Sequence, residues 1–182
     1  MRLFVAVWPS PEALENLDEA MFEVRRDRSR AAPRWVDSSR MHVTLVFLGE
    51  LSETYLAPLE AELADAMAQQ SPFESRLRST GQFGERVMWV GLEDNNDHWK
   101  ELARTARRAV RAAGANIPAR EWRGHLTVAY GRSGVVLERF TGSLTDYSGL
   151  AFDIAETSLV RSSLGANPTY EILSRFALGA IR

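Results

Sequence analysis

Apolar residues follow two periods along this chain, one typical of strands and one of helices. Near the start, Leu3, Val5 and Val7 alternate with Phe4 and Ala6 in a nearly continuous apolar run. Such a run predicts a first strand that is buried on both faces.

Helices are predicted where apolar residues recur at a spacing of three and four. The first begins at Ser10-Pro11-Glu12, a combination that suits an N-cap, a first helical residue and a first-turn acid. Another is expected over residues 96–113, with Gly114 placed as the C′ residue that ends it.

A further helix is expected over residues 52–70, although Pro58 lies inside that stretch. Proline removes a backbone donor, so either the helix proper begins near Ala57 or its first turn is bent. Two β-hairpins are predicted, one from residues 73–83 and 86–90, the other from residues 152–164 and 170–178 with a turn at residues 165–168.

A His-x-Thr tripeptide occurs twice, each time within apolar, strand-like sequence. His42 pairs with Thr44, and His125 pairs with Thr127. Residues i and i+2 of a strand point to the same face about 7 Å apart, so each tripeptide presents an imidazole beside a hydroxyl. The duplication predicts two related lobes, each contributing one half of a small polar site.

Composition narrows the class of protein. The chain has 182 residues, of which 45% are hydrophobic and 25% charged, as in an ordinary globular protein. It contains no cysteine, which excludes disulfides, thiolate metal sites and a cysteine nucleophile.

The net charge of −2 gives no global attraction to nucleic acid, so phosphate binding requires a local concentration of positive charge. Since no run approaches the roughly 18 apolar residues of a membrane span, and the start does not suit a signal peptide, we expect a cytoplasmic protein.

Two imidazoles and two hydroxyls suit one kind of chemistry well. A neutral histidine accepts a proton and a protonated histidine donates one near neutral pH, while threonine hydroxyls hydrogen-bond phosphate oxygens. Either motif alone is explained as well by a core histidine and an ordinary strand threonine. A metal site is the other chemical reading, but each motif supplies one good ligand and no neighbouring carboxylate completes a set. The pair therefore favours metal-free cleavage of a phosphodiester.

The paired motifs resemble the signatures of the 2H phosphoesterase superfamily, and the surrounding sequence is similar to its bacterial 2′-5′ RNA ligase branch, the RNA 2′,3′-cyclic phosphodiesterases. The resemblance covers nearly the whole chain. Its matching segments are residues 2–6, 34–36, 47–50, 81–84, 86–92 and 163–164, together with Pro168 and Tyr170.

The resemblance implies an α+β fold in which residues 1–182 form one bilobal domain. Two pseudo-symmetric antiparallel sheets with outer helices would flank a central cleft that carries both motifs. It further implies hydrolysis of a terminal 2′,3′-cyclic phosphate on RNA to a 2′-phosphomonoester, without a metal or other cofactor. Reversible 2′-5′ ligation of RNA, including tRNA fragments, is associated with this branch; no membrane or protein partner is implied.

Residue roles follow from the same resemblance. His42 and His125 would be the acid and the base, and Thr44 and Thr127 the phosphate ligands. We assign His125 to the activation of water and His42 to the protonation of the departing 3′ oxygen.

Two positions depart from the family's pattern. The family often has proline before the second histidine and arginine five residues after it, where this chain has Gly124 and Tyr130. The arginine's charge would then have to come from Arg132, Arg123 or Arg120. Strict alternation puts Arg132 on the face opposite His125, so Arg132 requires a bulge or bend after Tyr130 to reach the site.

Substrate bases are expected to stack on aromatic side chains. Tyr170, beside the closing turn, is a candidate, and Tyr130 is another possible substrate contact. Phe47 is expected on the face opposite His42, in the core. Two other functions remain open: an RNA-end or nucleotide-phosphate binding module with little turnover, and a phosphodiesterase acting on small cyclic nucleotides.

Overall fold

Strands dominate the architecture. The computed structural model describes residues 1–26, 32–132, 136–163, 165 and 169–179. Within them, nine strands are present: β1 (Arg2–Val7), β2 (Arg34–Trp35), β3 (Val43–Glu50), β4 (Phe73–Phe83), β5 (Val87–Leu92), β6 (Leu126–Tyr130), β7 (Ser148–Ile154), β8 (Glu156–Ser162) and β9 (Tyr170–Ala177).

The helices lie between the strands in sequence. Over the described residues they are α1 (Pro11–Ala20), α2 (Phe22–Arg25), α3 (Leu56–Ala68), α4 (His98–Ala112) and α5 (Glu138–Thr141). In that same part of the chain, none of them combines the length and the apolar character needed to cross a membrane.

Among the described residues, all strand pairs are antiparallel, and the strand order is β7-β4-β5-β6-β3-β1-β8-β9, with β2 paired to β6. The two halves, β7-β4-β5-β6 and β3-β1-β8-β9, meet at a single residue pair, Val43 with Leu126. The α+β class with two antiparallel halves is confirmed, and the halves are joined edge to edge into one continuous sheet.

The predicted first strand and first helix are confirmed. Leu3, Val5 and Val7 belong to the main core, whereas Phe4 and Ala6 on the other face of β1 belong to a smaller apolar cluster. Ser10 caps α1, its hydroxyl accepting a hydrogen bond from the Ala13 amide at 3.2 Å.

The other predicted helices are also present. Pro58 is the third residue of α3, in the first turn, where its missing amide leaves no intrahelical bond unmade. α4 is followed by Gly114 at φ +86°, the left-handed conformation expected of a C′ residue. α3 and α4 pack on each other, α3 against β8 and β9, and α4 against β3, while α1 covers β4 and β7.

The first hairpin, β4 with β5, is confirmed, but the closing hairpin differs from its prediction. Residues 152–164 do not form one strand, because the chain leaves β7, which pairs with β4, and after Ala155 enters β8, which pairs with β1 and β9. The pattern alone hides this break, since no glycine or proline marks it. Of the predicted turn, residues 166–168 lie outside the described residues.

Candidate active site

The edge where the two halves meet brings the motifs together. Val43 pairs with Leu126, and both side chains are buried. Continuing that antiparallel register by one residue in each direction places Thr44 opposite His125 and His42 opposite Thr127. Neighbours in a strand face opposite ways, so these four side chains share the face that the buried pair does not use.

The four motif residues line one cavity of about 380 Å³. Its other lining residues on the strands and connections around it are Arg2, Phe4, Arg34, Val36, Arg40, Phe47, Tyr130, Ser162, Ser163, Gly165 and Tyr170. We call it the catalytic cavity. None of the described residues lining it carries a carboxylate, so its charge is positive.

Both histidines are held by the backbone in the same way. The Nδ1 atom of His42 lies 2.8 Å from the carbonyl oxygen of Arg40, and Nδ1 of His125 lies 2.6 Å from that of Arg123. A carbonyl only accepts hydrogen bonds, so Nδ1 carries the hydrogen in each ring. In the neutral imidazole, Nε2 is then the nitrogen that is ready to accept a proton.

The surroundings of the two rings differ. His42 stacks on Phe4, with ring centroids 4.9 Å apart, and contacts Trp8 and Tyr170 at 5.2 and 5.0 Å. His125 meets the edge of Phe83 at 4.9 Å. His42 therefore lies in an aromatic enclosure, while His125 is more open.

Burial lowers the pKa of both imidazoles. The pKa of His42 falls from 6.5 to about 4, mainly through desolvation; the Arg40 carbonyl opposes this shift and the charge of His125 adds to it. The pKa of His125 is also lowered by desolvation, against the opposing effect of the Arg123 carbonyl. In the free site at neutral pH, His42 is thus neutral.

One extra residue in each motif strand redirects a side chain into the cavity. In β3, Val46 pairs with Val5 and Thr44 with Ala6, so Leu45 is a bulge. The bulge reverses the alternation beyond it and brings Phe47 to the face of Thr44. The prediction that Phe47 lies in the core is therefore wrong: it is 60% exposed and lines the cavity.

The second motif repeats this device. In β6, Thr127 pairs with Trp89 and Ala129 with Met88, which leaves Val128 as the extra residue. Tyr130 consequently lies on the face of Thr127 and lines the catalytic cavity, as does Tyr170. The bulge needed to redirect this strand is present, but it lies before Tyr130 and not after it.

The arginines proposed from sequence are not the ones in the catalytic cavity. Arg132 is exposed beyond the end of β6 and does not line it, and Arg120 and Arg123 line a neighbouring cavity.

Arg2, Arg34 and Arg40 supply the positive charge of the catalytic cavity. Arg34 pairs with Tyr130 across β2 and β6, and its guanidinium lies 4.9 Å from the centre of the tyrosine ring. The position of Arg40, two residues before His42, could have indicated it from sequence, and Arg2 and Arg34 lie in segments that match the family.

Gly124, the other departure from the family's pattern, has a packing explanation. A Cβ atom at Gly124 would lie 2.4 Å from the ring of Trp122. The Trp122 Nε1 atom donates a hydrogen bond of 2.9 Å to the carbonyl oxygen of Thr44. The glycine thus lets Trp122 fold back and tie the segment before the second motif to the first motif.

The lowered pKa of His42 makes a testable contribution to stability. Between pH 6.5 and about 4 the unfolded chain binds a proton on this residue and the folded chain does not, so the free energy of unfolding falls as the pH falls through this window. We expect this residue to contribute about 1–3 kcal/mol of that loss. Urea unfolding at pH 7 and pH 4.5 should show a smaller loss in His42→Asn than in the native protein. An identical loss in both would contradict the burial of a neutral His42.

Comparison with known proteins matches this chain to a family. A profile of the 2′-5′ RNA ligase superfamily matches residues 9–166. A Bacillus subtilis protein named RNA 2′,3′-cyclic phosphodiesterase is 30% identical over 96% of this chain and 95% of its own length. A Geobacillus stearothermophilus protein of the same name is 28% identical over 96% of this chain, which spans 56% of that relative's length.

Solved structures agree with the fold. TT0787 of Thermus thermophilus has a TM-score of 0.80 and 28% identity, and each chain is covered completely. Escherichia coli LigT complexed with NADP+ has a TM-score of 0.76 and 26% identity, with 98% of each chain covered. The resemblance carried by the paired His-x-Thr motifs is confirmed, and the chain belongs to the 2′-5′ RNA ligase superfamily of 2H phosphoesterases.

Proposed function

We propose that this protein hydrolyses the terminal 2′,3′-cyclic phosphate of RNA to a 2′-phosphomonoester, with two histidines as general acid and base and without a metal. The observation that carries the proposal is the crossed arrangement of the motifs, in which each imidazole lies opposite the other motif's threonine in an arginine-lined cavity. This places proton donors and acceptors around a positively charged space that can hold a phosphate diester anion.

The proposed reaction is an in-line displacement at phosphorus. His125 accepts a proton from water as its oxygen attacks, and His42 donates a proton to O3′ as the P–O3′ bond breaks. The phosphate then remains on O2′. These roles use Nε2 of each ring, since Nδ1 is occupied by a backbone carbonyl.

Threonine and arginine side chains are assigned to the charge on the phosphate. The hydroxyls of Thr44 and Thr127 donate hydrogen bonds to its non-bridging oxygens, where charge increases in the transition state. Arg34 and Arg40 supply compensating charge, which removes the main difficulty raised by Tyr130 at the family's arginine position.

Substrate binding is also required to prepare His42 as the acid. In the free site the low pKa of His42 opposes its protonation. Taken alone, this would favour His42 as the base and His125 as the acid. A bound phosphate anion raises the pKa of an adjacent imidazole. The ring centroids of Phe4 and Trp8 lie within 6 Å of the His42 ring, and their aromatic faces further stabilise the protonated form of His42. His125, which is more open, is stabilised less in this way. We therefore retain His42 as the proton donor of the complex.

The comparisons support the substrate class. The relatives from Bacillus and Geobacillus are named for action on RNA 2′,3′-cyclic phosphate, and LigT was crystallised with the nucleotide NADP+. We extend the proposal to reversible 2′-5′ ligation, in which the 5′-hydroxyl of a second RNA replaces water, and to tRNA fragments as one source of such ends.

Two alternatives make different predictions. A binding module with little turnover was suggested by the missing arginine, and the placement of Arg34 and Arg40 weakens that reason. A phosphodiesterase for small cyclic nucleotides would act at least as fast on a mononucleotide as on an oligonucleotide. Parallel assays with both substrates separate these functions.

Replacing each catalytic histidine by asparagine tests the mechanism. The asparagine amide can keep the hydrogen bond to the Arg40 or Arg123 carbonyl, but it has no counterpart of Nε2. We expect His42→Asn and His125→Asn each to lower kcat on an RNA ending in a cyclic phosphate by about 10²–10⁴-fold, in the presence of EDTA. His98→Asn is the matched control, since His98 is exposed and stacks on Phe73 at 5.2 Å. Full activity in the His42→Asn, His125→Asn double variant, or loss of native activity with EDTA, would refute the proposal.

Arginine variants test which cations hold the phosphate. We expect Arg34→Gln and Arg40→Gln to raise KM for the cyclic-phosphate RNA about tenfold, because each removes a cation from the cavity lining. Arg132→Gln should leave KM unchanged, because Arg132 lies outside the cavity. Steady-state kinetics of the three variants measure these changes in KM. A larger increase in KM for Arg132→Gln than for the other two variants would make Arg132 the arginine that binds the phosphate.

A further inference from the structure

A second cavity, of about 620 Å³, opens beyond His125. It shares Thr44, Phe47 and His125 with the catalytic cavity, whereas His42 and Thr127 are not among its described lining residues. The second cavity therefore adjoins the phosphate site but reaches only one of the two motif histidines.

Its lining suits a nucleoside with a phosphate. Phe47 is 60% exposed, and Phe83 and Trp122 are partly exposed, so aromatic surface is available for a base to stack on. Arg107, Arg120 and Arg123 face a single acid, Glu121, among the described lining residues. A volume of several hundred Å³ is typical of small-molecule sites.

The direction of attack decides which nucleoside this is. In an in-line displacement, the attacking and leaving oxygens lie on opposite sides of phosphorus. The nucleoside that carries the leaving O3′ belongs beside His42, in the catalytic cavity. The group that carries the attacking oxygen belongs beside His125, which lines the second cavity.

We propose that the second cavity binds the nucleoside that presents a 5′-hydroxyl to the cyclic phosphate, with its arginines contacting that nucleoside's 3′-phosphate. This inference rests on the proposed function. His125 takes the proton of the 5′-hydroxyl as the P–O5′ bond forms, and His42 protonates O3′ as the P–O3′ bond breaks. The product is a 2′-5′ phosphodiester with a free 3′-hydroxyl, and in the reverse reaction that hydroxyl attacks and O5′ leaves.

The upstream part of the cyclic-phosphate RNA is a less suitable occupant. It is attached through O5′ of the terminal nucleoside, and so lies on that nucleoside's side of the phosphorus. The shared residue His125 lies on the other side. The site is therefore assigned to a second molecule, and hydrolysis needs only water there.

Two substrates separate the two cavities. Adenosine 2′,3′-cyclic phosphate requires only the catalytic cavity. A 2′-5′-linked diadenosine with a 3′-phosphate on its 5′-linked nucleoside requires both, and its cleavage is the reverse of ligation. We expect Arg120→Gln to lower kcat/KM for the dinucleotide about fivefold to tenfold, through KM, and to change hydrolysis of the cyclic nucleotide by less than about twofold. Arg139→Gln, which removes an exposed charge outside both cavities, should change neither.

The possible results are distinguishable. An enzyme that hydrolyses the cyclic nucleotide but neither cleaves the dinucleotide nor is saturated by it overturns this inference and leaves the proposed function intact. Failure to hydrolyse any cyclic-phosphate end refutes the proposed function itself. If Arg120→Gln impairs only the hydrolysis of cyclic-phosphate oligonucleotides, the cavity holds the upstream strand and the inference is wrong.

Discussion

A single antiparallel contact, Val43 with Leu126, determines the geometry of the site. Because strand register is fixed in steps of one residue, this pair sets all four motif side chains on one face and crosses each histidine with the other motif's threonine. A slip of one residue would turn one motif toward the core. The burial of both paired side chains is the reason that register is favoured, since the slipped strand would expose them and bury polar groups.

Around that contact, the backbone does much of the positioning. Carbonyl groups two residues before each histidine fix the ring tautomer, and bulges at Leu45 and Val128 bring an aromatic side chain to each half of the site. The surroundings of the two imidazole rings, in contrast, are not symmetric. His42 is enclosed by aromatic rings, whereas His125 opens toward a second cavity with its own arginines. This difference between the two histidines supports the different roles that we propose for them.

Much of this could be predicted from the sequence, because it depends on local patterns. The spacing of apolar residues and the N-cap Ser10 predicted β1, α1 and the first hairpin. The repeated His-x-Thr tripeptide indicated four residues that line the catalytic cavity. The predictions that failed concern residues whose position depends on contacts with residues distant in the sequence. Phe47 was expected in the core because strict alternation takes no account of a bulge, which is visible only in the pairing of β3 with β1. Arg34 could not be placed beside Tyr130 without knowing that β2 pairs with β6. The break at Ala155 was missed because no glycine or proline marks it, and the two strands that it separates differ only in their distant pairing partners.

The position of the phosphate in the product tests the crossed arrangement most directly. An RNA ending in a 2′,3′-cyclic phosphate can be hydrolysed in ¹⁸O-labelled water and the product examined by phosphorus NMR and mass spectrometry. If His125 directs water against the P–O3′ bond, the product is a 2′-phosphomonoester with one ¹⁸O atom on phosphorus. A 3′-phosphomonoester, or a mixture of both esters, would contradict the placement of O3′ beside His42, opposite the attacking water.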